Sequence, residues 1–412
     1  MRRLSVSSGG ELIVDAAAPG SSTRVLAILS ADYGELFNAM YFAAGTPIRL
    51  CLAAPPKVYR ANEGALPYAT CCYGGVDDLR RAINDFRPDV ALLFSGYLYT
   101  ANKLLPAEGV EQLVDLLDDR GIPVATSDPS LGLLEKPGDG LFAPDHPSRA
   151  WMVDHFTQLA GQLNDRTHLY LASEGVQREG KSRSYFNPRF VFSEGDRNRI
   201  ADKLATEPGF DDKKPFWVYI LSPEDDGLQE RLHGAEEWTR LIAARLADAV
   251  RAGRRAVFLG PAERRRTVGE HLANEAPEVQ AGVTMLKACR YPLFIQLLIT
   301  AEHAFYWNRF SASILARLIN RRSTFSFETG HLAAAMPAVE AVAEQHFYAG
   351  CDWPTLDLCE PLEADALNEQ AEQQQSKLFG PVIANLSRAS DPAEVIAELA
   401  QQGARIAGGG MP

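Results

Sequence analysis

The feature that most constrains this chain is a repeated alternation of short apolar runs with helix-length amphipathic stretches. Arg24–Ser30 (RVLAILS) is followed by a helical stretch through Ala44, and Pro47–Ala53 (PIRLCLA) is the next run. Helical spacing over Val76–Phe86 leads to Asp89–Ser95 (DVALLFS), entered through Pro88. Val110–Asp119 then reads as helix, and Ile122–Thr126 and Thr167–Ser173 as strands. Runs that are apolar on both faces belong in a parallel sheet with helices on either side, because only there is neither face wet.

From Ser173 to Asp212 the composition turns to Gly, Arg, Ser, Asn and Pro, which predicts the end of a first domain plus a connection. The alternation then restarts. Phe216–Leu221, Arg255–Leu259, Val283–Leu286, His303–Trp307 and Ser323–Phe327 read as strands, with helices between them, the longest over Glu236–Ala252. A length of 412 residues exceeds what one core usually supports. The expected fold class is α/β, with two Rossmann-like domains facing a cleft. Their expected extents are 1–195 and 196–345, with a boundary between Gly195 and Lys214 and a helical tail over 346–412.

The net charge of −12 argues against nucleic acid or an anionic membrane as the partner of the whole chain. No apolar stretch approaches the roughly 20 residues of a transmembrane helix. No apolar segment follows Met1-Arg2-Arg3, so a secretory signal is not expected. The six cysteines, Cys51, Cys71, Cys72, Cys289, Cys351 and Cys359, lack CxxC spacing and read as free thiols in the cytoplasm. No histidine has zinc-ligand spacing to Cys351 and Cys359, and no metal site is expected.

One motif matches by letter and fails by chemistry. Gly175-Val176-Gln177-Arg178-Glu179-Gly180-Lys181-Ser182 fits the Walker A pattern. A phosphate-binding loop also needs a helix starting at its lysine, so that backbone amides face the phosphates. Asn187-Pro188 follows too soon for a long helix, and no downstream strand ends in the aspartate that would hold magnesium. The segment is expected to be a surface loop.

Ligands of open α/β sheets bind at the carboxyl ends of the strands. In the second half that selects Ser222–Gly227, Gly260–Glu263, Ala288–Tyr291, Asn308–Ser313 and Glu328–His331. Between a strand and a helix, Asn308 or Ser311 is placed to cap the helix, whose free amides attract anions. Arg309 adds a fork suited to phosphate oxygens. The alternative is an ordinary cap beside a solvated arginine. Gly260-Pro261 is a tight turn where backbone approaches a ligand, or a turn and nothing more.

The stretch from Ala256 to Val339 resembles the nucleotide-sugar-binding half of GT-B glycosyltransferases, in a heptosyltransferase-like layout. The features that carry the resemblance are a strand ending in Gly260-Pro261, a helix opened by Tyr291-Pro292, and a polar helix start from Asn308 to Ser313. The paired-glutamate donor signature of many retaining members and the Gly-rich donor loop of the murein-type members are absent. The resemblance implies transfer of a sugar from a nucleotide diphosphate sugar to a small-molecule, peptide or glycan acceptor, with no metal or other cofactor. It implies a donor side formed by Ser222, Gly260, Pro261, Tyr291, Asn308, Arg309, Ser311, Ser313, Glu328, Gly330 and His331, the last of which reads equally as a structural cap. It also implies an acceptor side near Ser95, Tyr97 and Asp128, with Asp32 or Glu35 as the base that deprotonates the acceptor. Without the resemblance, Asp32 reads as a helix cap and Glu35 as a first-turn acid. A nucleotide-sugar epimerase or hydrolase on the same fold, or a catalytically degenerate partner subunit, are the alternatives. Chains of this kind often return a C-terminal helix to the first domain, and Val395, Ile396 and Leu399 in Asp391–Gln401 supply an apolar stripe for it.

Overall fold

The apolar runs of the first half become strands of one parallel sheet. Its strands are β1 (Thr23–Leu29), β2 (Ile48–Ala54), β3 (Ala69–Cys72), β4 (Val90–Phe94), β5 (Val124–Ser127), β6 (Thr167–Tyr170) and β7 (Ser182–Ser184). They lie in the order β3-β2-β1-β4-β5-β6-β7. All five residues of β4 are buried, as expected of a central strand covered on both faces. Two strands have no apolar run behind them. β3 (ATCC) is only half-buried at one edge, and β7 (SRS) is polar at the other, so neither carries the signal that marks the centre.

The second half repeats the pattern with β8 (Phe216–Ile220), β9 (Arg255–Leu259), β10 (Val283–Leu286), β11 (His303–Tyr306) and β12 (Thr324–Ser326), in the order β10-β9-β8-β11-β12. In both sheets the strand order reverses beside the first strand, at β1/β4 and at β8/β11. That reversal opens a crevice at the carboxyl ends of the strands. The computed structural model describes residues 23–30, 33–100, 103–128, 130–135, 140–146, 148–171, 181–286, 289–328 and 330–408. The chain divides into two units. One runs up to Val191 and resumes at Ala384, and the other spans Phe192–Ile383.

In the first unit, Asn187 is fully buried and closes the end of helix Tyr33–Ala43. Its Nδ2 donates to the carbonyls of Tyr41 (2.7 Å) and Ala44 (2.8 Å), which have no partner within the helix. Helix Pro392–Gly408 packs against β1 and β4, as the apolar stripe predicts, and Val395, Ile396 and Leu399 are buried.

The second unit has a core of stacked aromatics. Tyr219 lies on Phe305 at 4.7 Å, and Phe305 on Phe325 and Phe327. The fully buried Arg317 gathers the carbonyls of Leu298 (2.7 Å), Ala301 (2.8 Å) and Ser323, tying the end of helix Tyr291–Thr300 to the entry of β12. Gln374, on helix Ala364–Lys377, pairs with the backbone of Thr324 through both amide atoms at 3.0 Å and so covers the edge of β12.

The segment expected as a plain connection is more ordered than its composition suggests. A capping box between Ser193 and Asp196 starts helix Glu194–Leu204, which packs on helix Tyr291–Thr300. Of the Walker-like letters only Lys181 and Ser182 lie among the described residues. No helix starts there: Ser182 opens β7, and Lys181 pairs with Asp165 at 2.6 Å.

Candidate functional site

Three loops at the carboxyl ends of β8, β11 and β12 meet on one carboxylate. Ser222, just after β8, caps helix Pro223–His233, with its side chain accepting from the Asp225 N–H at 3.0 Å. A proline in the first turn costs nothing there, because that N–H has no helical partner anyway. The cap turns Asp225 inward, where it is fully buried. Its Oδ2 accepts from Ser222 Oγ (2.8 Å) and from Asn308 Nδ2 (2.7 Å). Its Oδ1 accepts from the His331 backbone N–H (2.8 Å) and lies 2.9 Å from His331 Nδ1. The Asn308 bond crosses from the β11 loop to the β8 loop, at the point where the strand order reverses.

A buried charge without partners is costly, and this one is surrounded by donors. Burial pushes the Asp225 carboxyl up, but the His331 side chain and backbone, with Asn308, outweigh it and hold the group below the ordinary aspartate value. The packing leaves no room for a side chain at Gly330. Its φ is +93°, and a Cβ there would lie 2.3 Å from the Asn308 Cβ. The next residue along the helix, Asp226, pins the same element from its other side, accepting from Trp238 Nε1 and Arg264 Nε, both at 2.7 Å. One turn beyond Asp225, the fully buried Gln229 has no hydrogen-bond partner on either amide atom among the described residues, and the same holds for the Trp307 indole N–H.

The remaining donor-side candidates are arranged around this cluster. Ser311, not Asn308, caps helix Ala312–Ile319; its Oγ lies 2.9 Å from that of Ser313. Arg309 is not a solvated cation: its guanidinium pairs with Glu340 at 2.6 Å and donates to Thr355 Oγ1 at 2.9 Å. Glu328 follows β12; burial pushes its carboxyl up, against the pull of His233 and Arg309. Gly260 sits over the Phe258 ring, which a Cβ would strike, and its carbonyl accepts from Arg265 Nε at 3.0 Å. Pro261 precedes helix Ala262–Leu272, and Tyr291 is buried at the start of its own helix.

In the first unit Asp32 lies outside the described residues. Glu35 is buried, with its Oε2 accepting from Asn38 at 3.3 Å. Ser95 follows β4 in a left-handed conformation (φ +52°), uncommon for serine, and its N–H donates to Ser127 Oγ at 2.7 Å. Tyr97 is fully buried, with its hydroxyl 2.8 Å from His168 Nε2, so it braces the sheet from inside and does not line an open surface. Asp128 is likewise interior and builds a turn by accepting from the N–H groups of Ser130 (2.6 Å) and Leu134 (2.9 Å).

Sequence reasoning selected the Ser222–Gly227 loop but not Asp225 within it. The available signal was a serine three residues before an acid at a helix start, which reads as a local cap. Nothing local points to partners 83 and 106 residues away.

No family model matches the chain, and no curated protein matches it. Solved structures do. A variant of Os79 from O. sativa in complex with UDP matches with a TM-score of 0.55 and 10% identity, over 92% of this chain and 100% of that one. Os79 in complex with U2F and trichothecene matches over the same shares, at a TM-score of 0.53 and 10% identity. UDP-N-acetylglucosamine 2-epimerase from Rickettsia bellii matches at 0.49 and 9% identity, over 92% of this chain and 96% of that one. The chain has the α/β fold of Os79, with two Rossmann-like domains in the GT-B arrangement of elements and a C-terminal helix returned to the first.

Proposed function

We propose that the chain is a cytoplasmic glycosyltransferase that moves a sugar from a nucleotide diphosphate sugar to an acceptor hydroxyl. The observation that carries this reading is the closure of three strand-end loops on Asp225 at the β8/β11 reversal, in a fold shared with UDP-bound Os79. A carboxylate buried at a strand end and bonded from three separate loops holds those loops' polar groups in fixed positions, as a binding site requires. The Gln229 amide and the Trp307 indole are further buried polar groups that have no partner among the described residues.

In this reading the nucleotide lies on the second unit, along Ser222, Gly260, Pro261, Tyr291 and Asn308. The diphosphate meets the amides of Ser311–Ser313 and the Arg309 fork, which Glu340 holds in place, without a required metal. Glu328, Gly330 and His331 complete the donor side. On the first unit, Asp32 or Glu35 takes the acceptor's proton, and the buried Ser95, Tyr97 and Asp128 support that unit's strand ends from inside. One observation favours a second reading, a nucleotide-sugar epimerase or hydrolase: the Asp225–His331 pair is an acid/base group on the donor side itself.

Calorimetric titration of the full chain with UDP, TDP, ADP and GDP tests the proposal. One of them should bind, and Arg309→Ala should weaken it by about 1.5–3 kcal/mol, the worth of a charged hydrogen bond. Failure of all four to bind would overturn it. Incubating the matching nucleotide sugar without acceptor separates the readings, since only an epimerase or hydrolase consumes it at a catalytic rate.

A further inference from the structure

We propose that Asp225 and His331 form the leaving-group device of the site: Asp225 fixes the imidazole through Nδ1, and the ring meets the diphosphate oxygen that departs from the sugar. This rests on the nucleotide-sugar reading and adds to it the residue that answers the charge of the departing group.

The cluster is built more elaborately than a clamp between loops requires. Holding the β8, β11 and β12 loops together needs only Ser222, Asn308 and the backbone N–H of His331, and these three already donate to the Asp225 carboxylate. The imidazole is an addition. Its Nδ1 faces a carboxylate with no solvent exposure, while the side chain as a whole is 38% exposed. The exposure therefore falls on the rest of the ring, on the side away from Asp225. A carboxylate bonded to Nδ1 fixes the ring's orientation, so that Nε2 is the nitrogen on the side away from Asp225. Gly330 fixes where the ring starts, because its backbone conformation admits no side chain against Asn308. The helix carrying Asp225 is pinned independently through Asp226 to Trp238 and Arg264. The ring is thus held on supports that are themselves hydrogen-bonded in place, as suits a group that stabilises charge developing only in the transition state.

The bond between the sugar's C1 and the phosphate oxygen breaks, and its electron pair stays on that oxygen. The acceptor oxygen bonds to C1 and releases its proton to a base. His331, carrying a proton on each ring nitrogen, donates its Nε2–H to the departing oxygen, as a hydrogen bond or with full proton transfer that leaves the ring neutral.

A purely structural role and this one differ in what they do to ligands of different charge. The test is titration of wild type, His331→Ala and His331→Gln with the nucleoside diphosphate selected from UDP, TDP, ADP and GDP, and with its monophosphate. The expected result is a diphosphate-to-monophosphate affinity ratio about tenfold lower in His331→Ala. His331→Gln, whose amide N–H still donates, should fall between that variant and the wild type. A ratio unchanged within twofold in both variants overturns this inference and leaves the nucleotide-sugar reading standing. No binding of any diphosphate by the wild type overturns both. Glutamine keeps most of the side-chain volume, so the comparison survives if the alanine variant is poorly folded.

Discussion

Asn308 Nδ2 donates to Asp225 Oδ2 at 2.7 Å, joining the loops that follow β11 and β8 across the reversal of strand order. Removing one donor from a buried carboxylate leaves part of its charge uncompensated, at about 1–3 kcal/mol. Asn308→Ala should therefore lower stability by that amount in urea unfolding. Asp225→Ala should cost more, about 3 kcal/mol or above, because it strands several donors at once. Equal and negligible losses would mean that the cluster is solvated.

Gly330→Ala should be the more damaging of two glycine substitutions at positive φ. At Gly330 the added Cβ meets Asn308 carbons at 2.3 and 2.8 Å; at Gly253 (φ +77°) nothing lies within 4 Å. Gly253→Ala carries only the left-handed backbone penalty, roughly 1–2 kcal/mol. Gly330→Ala adds overpacking of about 1–3 kcal/mol. Thermal unfolding of the two variants side by side checks the order.

His303 predicts a pH dependence. It is buried at the start of β11 with Nδ1 2.7 Å from Ser323 Oγ. Burial pushes its imidazole from the ordinary 6.5 down to about 4, with Glu302 opposing and Arg317 reinforcing. Between those values the unfolded chain binds a proton that the folded chain does not, so stability falls as the pH drops from 6.5 towards 4 and this contribution then levels off. At about 1.4 kcal/mol per pH unit the full effect is of order 3 kcal/mol. His303→Gln should flatten that part of the profile; an unchanged slope in urea unfolding at pH 7 and 4.5 would count against it.

Lys181→Ala should leave nucleotide affinity within about twofold, roughly 0.4 kcal/mol. The lysine is paired with Asp165 and leads into β7, where no helix N-terminus awaits a phosphate. A tenfold loss in the same titration would mean that the Walker-like letters are functional.

Much of the fold was readable because strands buried on both faces are apolar throughout: β4, β8 and β9 stand out from their composition alone. β3 and β7 did not, since edge strands face solvent and have no such requirement. Helix Glu194–Leu204 was hidden by polar content, although its Ser193/Asp196 cap was available as a signal. The candidate site was legible as a set of loops. Asp225 was not, because its meaning lies in Asn308 and His331, which reach it only after the sheet has formed.

Helix Pro392–Gly408 covers β1 and β4, strands that lie more than 290 residues earlier. On the ribosome the first unit therefore waits. The apolar surface that Val395, Ile396 and Leu399 will cover stays bare until the whole of Phe192–Ile383 has been translated, a stretch that is contiguous and can close its own core in the meantime. The later-made unit is thus free to mature first. A chain cut at Ile383 would present that uncovered face to chaperones and to other nascent chains, so premature termination endangers the half of the protein already synthesised.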